Sequence, residues 1–176
     1  FNDQPLEITA DFDTQGEVRT LRNLAIVQGD NRVTGAVALG ADNVPTGNLD
    51  IAAPDMSTLA GLIGLEAGGD VAGSIALTTP DGAPQAAIDI RSGSLSFGET
   101  ELANATVDVT LFDYVDRPQA EGTVQAASLA LPSLTVSALD LDLSRLNDAT
   151  VIDGSTTVNN AVSYTHLRAH ETRGNL

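Results

Sequence analysis

Apolar and polar residues alternate along most of the chain, which is the pattern of half-buried β-strands. From Leu6 to Asp13, every second residue is apolar and the residues between them are mainly acidic. Similar alternation predicts further strands at 18–27, 33–39, 49–53, 71–77, 86–90, 95–97, 107–111, 124–131 and 134–143. Turns rich in Gly, Pro, Asn and Asp separate these segments, with a Ser-Gly turn expected before 95–97. An irregular step at Leu21–Leu24 indicates a β-bulge.

One stretch breaks this alternation and organises the centre of the chain. The strand pattern stops at Pro54, and apolar residues then follow at helical spacing from Met56 to Glu66. Gly68 and Gly69 end the helical pattern, after which alternation resumes at Val71. The sequence therefore predicts a strand, one helical insertion near 56–66, and a strand again. Asp55 or Ser57 is expected to cap the helix.

A short motif with a leading glycine recurs five times, each time as Gly, any residue, an aliphatic residue, any residue, and an apolar residue. It begins at Gly35, Gly47, Gly73, Gly93 and Gly122. These irregular intervals do not fit a solenoid with a fixed repeat, and they favour a meandering sheet. Glycine within a strand permits sharp bending, so the motif predicts a sheet that curls. The alternative is that glycine simply begins many strands.

The apolar residues are mostly small, because aromatic residues make up only 3% of the chain. A closed β-sandwich is usually filled by several large aromatic side chains. We therefore predict an all-β fold, an elongated and curled antiparallel sheet that forms a groove with an aliphatic inner face and an acidic outer face. An apolar surface of that size indicates a ligand. The residues expected to line it are Leu49, Ile51, Val71, Ile75, Leu77, Ile88, Ile90, Leu95, Phe97, Val107, Val109, Leu111 and Val124.

The predicted helix is apolar on most of its surface and has two interpretations. The simpler one is that it packs on the sheet as ordinary core. The functional one is that it plugs or edges the groove, through Met56, Leu59, Leu62 and Ile63. It is too short to span a membrane.

Composition and charge exclude several classes of function. The formal net charge is −16, which would repel nucleic acid and anionic membrane surfaces. The absence of cysteine excludes disulfides and thiolate metal sites. The chain contains no run of about 18 apolar residues. It begins with Phe1, and we expect the natural N-terminus to lie outside this fragment.

The last residues require separate treatment. Residues 162–172 read VSYTHLRAHET, which resembles the conceptual translation of a sequencing-library adapter. We therefore expect residues 1–161 to be the native β segment and 162–176 to be a non-native, adapter-derived tail. His166 and His170 are spaced as two ligands of a helical zinc site would be. Because both lie in the tail, we predict no metal site there.

The remaining candidates for chemistry are two pairs of carboxylates, Asp11 with Asp13 and Asp140 with Asp142. Each pair lies on one face of a strand at about 6.5–7 Å, a separation that could suit calcium or an inverting glycosidase. A solvated polar face explains them more simply. Residues 1–161 contain neither His nor Cys, so no catalytic triad is possible. We predict no catalytic residues, no metal and no cofactor, and we do not expect an enzyme.

Several passages together resemble the TamB family of AsmA-like proteins. These passages are LRNLAI followed by VTGAV at 21–37, LDIAAPD at 49–55 running into LAGLIGL and AGSI, LANATVDV at 102–109, and LDLDL at 139–143. The resemblance covers roughly residues 5–146. It depends on the overall pattern of residues and on the placement of the helix, and no single motif is diagnostic. The N-terminal membrane helix and C-terminal domain of the family are not in this sequence.

The resemblance implies a segment of a periplasmic protein anchored in the inner membrane of a Gram-negative bacterium. Such proteins move phospholipid between the inner and outer membranes, and TamB works with the outer-membrane barrel TamA. The expected ligands are phospholipid acyl chains, while TamA and the membrane would be reached only through parts absent from this sequence. The alternative is a structural or adhesin-like acidic β domain with a filled core and no lipid.

Overall fold

A computed structural model describes residues 4–62, 64–147, 149–158 and 161–168, the last range for its backbone only. Within these residues the chain forms one open, curled antiparallel β-sheet with a single short α-helix, as predicted. The elements are β1 (Leu6–Gln15), β2 (Val18–Gln28), β3 (Asn31–Leu39), β4 (Pro45–Ala53), α1 (Met56–Leu62), β5 (Ala67–Gly69), β6 (Val71–Thr78), β7 (Gln85–Phe97), β8 (Thr100–Phe112), β9 (Gln119–Leu131), β10 (Leu134–Leu146), β11 (Ala149–Val158) and β12 (Ala161–Arg168).

The sheet is a meander in which each long strand pairs with the next one along the chain. The order is β1-β2-β3-β4-β6-β7-β8-β9-β10-β11-β12, and every neighbouring pair is antiparallel. Helix α1 is inserted between β4 and β6. The short strand β5 pairs with the far end of β7 and extends the line of β6. The pattern of strand, helix and strand predicted for the centre of the chain is confirmed.

The sheet forms a single layer over the described part of the chain. The buried apolar side chains are small, and no large side chain there has less than 2% of its surface exposed. A second layer would completely bury leucines and isoleucines on one face, as in a β-sandwich. The buried apolar residues are Ala53, Ala60, Ala86, Val109, Ala126 and Val136.

Glycines at bends allow this layer to curl. Gly73 has a φ of 156° and Gly122 a φ of 138°, which are conformations that residues with a side chain rarely adopt. A Cβ atom on Gly73 would lie 1.9 Å from the carbonyl oxygen of Asp89 on the neighbouring strand. Gly35 and Gly47 share this arrangement, whereas Gly93 has no such φ. Four of the five motif glycines therefore occupy positions that require glycine.

Helix α1 is shorter than predicted, since it ends at Leu62 and not at Glu66. Gly64 has a φ of 71°, its N–H donates to the carbonyl of Gly61, and the Leu65 N–H donates to the carbonyl of Ala60. This pair of hydrogen bonds is the Schellman motif, which ends a helix at a left-handed glycine. At the other end, Asp55 is the N-cap, because its carboxylate accepts the N–H of Ser57 at 3.0 Å.

The Ser-Gly turn predicted before Leu95 is wrong, because β7 runs unbroken through Ser92 and Gly93. The irregularity lies on the partner strand at Asp70, where the register against β7 shifts by one residue between β5 and β6. The Asp70 carboxylate accepts the N–H groups of Gly93 and Ser94 at 3.0–3.1 Å. These bonds satisfy the backbone of β7 at the point where a turn was expected.

Two other predictions about strands have different outcomes. The bulge expected at Leu21–Leu24 is confirmed, since the register of β2 against β3 shifts there and Asn23 has a φ of 51°. The segment from Asn147 to Ala161 has little alternation, yet it contains β11. Strand β11 pairs with β10 along its length, because an exposed sheet edge can recruit a segment of weak pattern. The predicted boundary at 161/162 falls at the beginning of β12.

Candidate functional site

The apolar face of the sheet is built from rows of residues that lie directly opposite one another on successive strands. Ile88 pairs with Ile75 on β6 and with Val109 on β8, and Ile75 pairs in turn with Leu49. The next row, two residues along each strand, crosses nine neighbouring strands. It contains Ile8, Ile26, Val33, Ile51, Gly73, Ile90, Val107, Val124 and Leu141. Every member is aliphatic or glycine, so the face has no polar side chain along this line.

The third row lies at the end of the strands where β6 runs into β7. It joins Leu77 to Ala86 and then to Leu111 and Ala120. On the other side of the central rows, Val71 pairs with Ala53. These rows together are called the apolar face. At about 4.8 Å between strands, the longest row spans roughly 38 Å.

The structure places eleven of the thirteen predicted lining residues on this face. They are Leu49, Ile51, Val71, Ile75, Leu77, Ile88, Ile90, Val107, Val109, Leu111 and Val124. Leu95 and Phe97 lie apart from them. Leu95 pairs with Leu102 beyond the point where the pairing of β7 with β8 is interrupted at Gly93 and Asn104, the latter with a φ of 48°. Phe97 is 46% exposed near the end of the same strand.

Other strands contribute residues to the apolar face that the predicted set omitted. Leu24 and Val37 on β2 and β3, and Leu143 on β10, lie in the same rows as the central aliphatic residues. Leu143 lies between Asp142 and Ser144, whereas Val37 lies between two alanines, so its alternation is weaker. Extending the two-residue period to every strand would have found them.

The opposite face carries the acidic residues of the sheet. Asp89 lies directly across from Asp108, and Asp142 lies directly across from Asp153. Carboxylates facing each other across strands repel, which disfavours folding. Arg91 offsets part of this repulsion, since it forms an ion pair with Asp89 at 3.2 Å. The sheet therefore has one aliphatic face and one anionic face.

The sheet curls enough at one end to bring together strands that are not neighbours. The guanidinium carbon of Arg145 on β10 lies 4.0 Å above the ring of Phe112 on β8, across the intervening β9. The Ala120 N–H on β9 also donates to the Thr150 hydroxyl on β11 at 2.9 Å. The bond from Ala120 to Thr150 brings β9 and β11 closer than two flat strand spacings, about 9.6 Å, would allow, so the sheet is curved here.

The helix residues proposed to plug or edge the groove are only partly described. Met56 and Leu59 are half-buried on α1, which lies against β5. Ile63 lies outside the described residues, and so does the side chain of Leu62. The helix is held at its beginning by Asn31, which is 2% exposed and forms two hydrogen bonds with the backbone of Asp55, at 2.8 and 3.0 Å.

The paired carboxylates have ordinary polar partners. Asp11 accepts a hydrogen bond from Asn23 at 2.7 Å, and Asp13 accepts one from Arg22 at 3.1 Å. Asp140 accepts one from Gln125 at 3.3 Å. Among the described residues, no group of three or more acidic or histidine side chains is arranged to hold a metal ion. His170 lies outside the described residues, and His166 is described only in its backbone on β12.

Two carboxylates have pKa values below the ordinary range for structural reasons. Hydrogen bonds from the hydroxyl and the N–H of Ser57 lower the pKa of Asp55. The N–H groups of Gly93 and Ser94 lower the pKa of Asp70. In both cases the donors favour the charged carboxylate. Both groups hold backbone in place, one at the start of α1 and the other at the bulge beside β7.

Comparisons with known proteins give no relative. No protein-family model, curated protein or solved structure matches this chain. Within the part of the chain that the structure describes, no helix has the length and apolar character needed to cross a membrane.

Proposed function

We propose that this chain is one section of a groove that shields the acyl chains of phospholipid from water. The lipid would lie on the apolar face and be carried between two membranes. The proposal extends the expectation from the resemblance to the TamB family. It includes a periplasmic location, a parent protein anchored in the inner membrane, and action with the barrel TamA through parts outside this sequence.

One observation carries the proposal: a continuous aliphatic face lies on a sheet of a single layer. Its larger residues, such as Leu49, Ile75 and Ile88, are only half-buried. Monomeric proteins rarely leave so large an apolar surface without a ligand or partner. The adhesin-like alternative requires a filled core, and the buried apolar side chains among the described residues are only Ala and Val. The open apolar face therefore favours the lipid groove over the adhesin-like domain with a filled core.

The chemistry of an acyl chain matches what this face offers. Transfer of a methylene group from water to an apolar surface is favourable by about 0.8 kcal/mol when burial is complete. The interaction is not directional, so it needs aliphatic area and no placed polar groups. The anionic outer face would repel anionic membrane surfaces and keep the section in solution between them.

The test uses photo-crosslinking residues at neighbouring positions that face opposite sides of the sheet. The pairs are Ile88 with Asp89 on β7, and Val107 with Asp108 on β8. Each variant of the chain is expressed in the periplasm of a Gram-negative bacterium, irradiated, and examined by mass spectrometry for phospholipid adducts. We expect adducts at Ile88 and Val107, and none at Asp89 and Asp108.

The paired design makes the result specific, because members of a pair differ by one residue and lie on the same strand. Equal labelling at both members of each pair would show contact without a preferred face. Absence of lipid at all four positions would mean that the apolar face holds no acyl chain. Either result would contradict the proposed groove.

A further inference from the structure

We propose that a cavity at the end of the apolar face binds the zwitterionic headgroup of a phospholipid, such as phosphoethanolamine. This inference rests on the proposed function and names the part of the lipid that this end of the groove would recognise. The cavity has a volume of about 380 Å³, within the range of small-molecule sites. It lies where β7, β8, β9 and β10 meet the loops at 79–84 and 113–118.

The cavity lies at the ends of the strands, one residue beyond the apolar face. Gln85, Phe112 and Gln119 line it and are direct cross-strand partners. They form the next rung beyond the row of Ala86, Leu111 and Ala120, about 3.4 Å further along the strands, so alternation directs their side chains to the side opposite Leu111. Arg145 reaches the same cavity from the side of the apolar face, so a lipid whose acyl chains lay on that face would place its polar end here around the ends of the strands.

Arg145 is the group best placed to bind a phosphate. It follows Leu141 and Leu143 at intervals of two along β10, so its Cβ lies on the side of the apolar face. Its Nε–H donates to the side-chain oxygen of Gln119 at 3.0 Å, and its guanidinium lies over Phe112. These contacts orient the guanidinium while its terminal nitrogens make no hydrogen bond or ion pair among the described residues. Oriented guanidinium N–H groups match the geometry of a phosphate.

The charges around the cavity favour a zwitterion over a simple anion. Arg117 and Arg145 line it together with Asp81 and Asp113, so its four formal charges sum to zero. Arg117 already forms an ion pair with Asp113 at 3.7 Å. Among the described residues neither Asp81 nor Arg145 forms an ion pair, so Asp81 can receive a cation and Arg145 an anion. A headgroup that carries both a phosphate and an ammonium group satisfies both.

The local concentration of arginine is unusual for this chain. Residues 1–161 contain six arginines, which is the eight basic residues less Arg168 and Arg173 of the tail. Two of these six line one cavity. Elsewhere on the sheet, Arg22 and Arg91 form ion pairs with carboxylates on the surface. Because Arg117 is paired with Asp113, Arg145 is the cation of this cavity that would attract a phosphate.

The experiment measures binding of short-chain lipids to the purified chain by isothermal titration, below their micelle concentrations. The probes are dihexanoylphosphatidylethanolamine, dihexanoylphosphatidic acid, dihexanoylglycerol and free phosphoethanolamine. We expect the phosphatidylethanolamine to bind at least about fivefold more tightly than dihexanoylglycerol, which has the same acyl chains, because one charged hydrogen bond contributes that much or more. Free phosphoethanolamine should bind more weakly than the lipid, since it lacks acyl chains.

Variants assign the two charges separately. Arg145→Gln should abolish the advantage of both phospholipids over dihexanoylglycerol. Asp81→Asn should weaken the phosphatidylethanolamine and leave phosphatidic acid unchanged, because phosphatidic acid has no ammonium group. Arg91→Gln is the control, since it removes the same charge from the opposite face. Circular dichroism and thermal melting of each variant confirm that the fold is retained.

The possible failures are distinguishable. Equal binding of dihexanoylglycerol and phosphatidylethanolamine would overturn the headgroup site and leave the groove standing. Equal effects of Arg145→Gln and Arg91→Gln would attribute the preference to overall charge and overturn the site. Tight binding of free phosphoethanolamine without binding of any acyl probe would indicate a site for a soluble zwitterion and overturn both proposals. Absence of binding by every probe would also overturn both.

Discussion

Individual glycines determine where this sheet bends. Gly73 and Gly122 sit within strands at φ values of 156° and 138°, with a neighbouring carbonyl oxygen 1.9–2.0 Å from where a Cβ would lie. An alanine there would need a backbone conformation that side chains disfavour, and it would also force the two strands apart. The glycines are therefore structural requirements of the curl.

The substitution Gly73→Ala should destabilise the chain by about 2–3 kcal/mol or more, from backbone strain combined with the clash against Asp89. Gly61→Ala is the matched control. Gly61 lies on α1 with no heavy atom within 4 Å of where a Cβ would lie, so alanine should be neutral or stabilise by up to about 1 kcal/mol. Urea unfolding followed by circular dichroism measures both. Similar losses of unfolding free energy for Gly73→Ala and Gly61→Ala would contradict a structural requirement for glycine at the bend.

Asp70 makes the stability of the sheet depend on pH. Because its pKa is lower in the folded chain than in the unfolded one, its charged form stabilises the fold above the unfolded pKa of about 3.9. That stabilisation is lost as the pH falls through the lower folded pKa. Asp70→Asn should therefore be less stable than the wild type at neutral pH, and the difference should narrow below about pH 4.

Unfolding midpoints across this pH range would test the expectation for Asp70. Asp116→Asn removes an exposed carboxylate from the β8–β9 loop and serves as the control for net charge. A constant difference between Asp70→Asn and the wild type at every pH would mean that the carboxylate does not act through its charge.

At the scale of elements, the helix interrupts the meander without ending the sheet. Strand β4 stops at Ala53, α1 follows, and β5 and β6 then share the partner strand β7. Asn31, in the β2–β3 hairpin, is hydrogen-bonded to both backbone groups of Asp55. One buried side chain thus fixes the direction in which the chain leaves β4 and enters the helix.

Replacing Asn31 with Ala should cost about 1–3 kcal/mol, because it removes two hydrogen bonds and leaves backbone groups of Asp55 unpaired. Asn48→Ala, an exposed change on β4, should have an effect within about 0.5 kcal/mol. Hydrogen exchange would locate the loss for Asn31→Ala at α1 and the adjoining end of β4. Loss of protection spread uniformly over the sheet would contradict a local role.

At the scale of the whole molecule, the described chain is a single curled layer with an aliphatic face and an acidic face. The curvature brings the Ala120 N–H on β9 within 2.9 Å of the Thr150 hydroxyl on β11. A layer of this kind gains less from burial than a closed core, because its large apolar side chains remain half-exposed. Substitutions on the apolar face should therefore be tolerated better than substitutions in a closed core.

Val107→Asn should keep the fold and cost about 1–2 kcal/mol, less than a polar change in a filled core. It should also reduce the fluorescence of the uncharged dye N-phenyl-1-naphthylamine bound to the chain. Thr106→Asn, on the opposite face of the same strand, should leave the dye signal unchanged. A loss of several kcal/mol for Val107→Asn, or an equal dye response from both variants, would indicate that the apolar face is covered.

The sequence by itself determined the class of fold, the two faces and the central helix. A period of two residues defines a strand and its faces without any tertiary contact, and Pro54 interrupts it locally. Gly64, the left-handed glycine that ends the helix, was also visible in the sequence, but the prediction extended the helix past it to Glu66. The two-residue period also selected the lining residues from Leu49 to Val124, of which Leu95 and Phe97 lie beyond the interruption of the ladder at Gly93 and Asn104.

Only the tertiary structure decided features that depend on partners distant in sequence. Asp70 satisfies the backbone of Gly93 and Ser94, so β7 continues where a turn was expected. Strand β11 forms because β10 offers it an edge, although its own alternation is weak. The cavity at the end of the apolar face brings Asp81 together with Arg145, 64 residues apart (145 − 81). A local sequence pattern cannot predict contacts between residues so far apart, because the register and curvature of the whole sheet determine them.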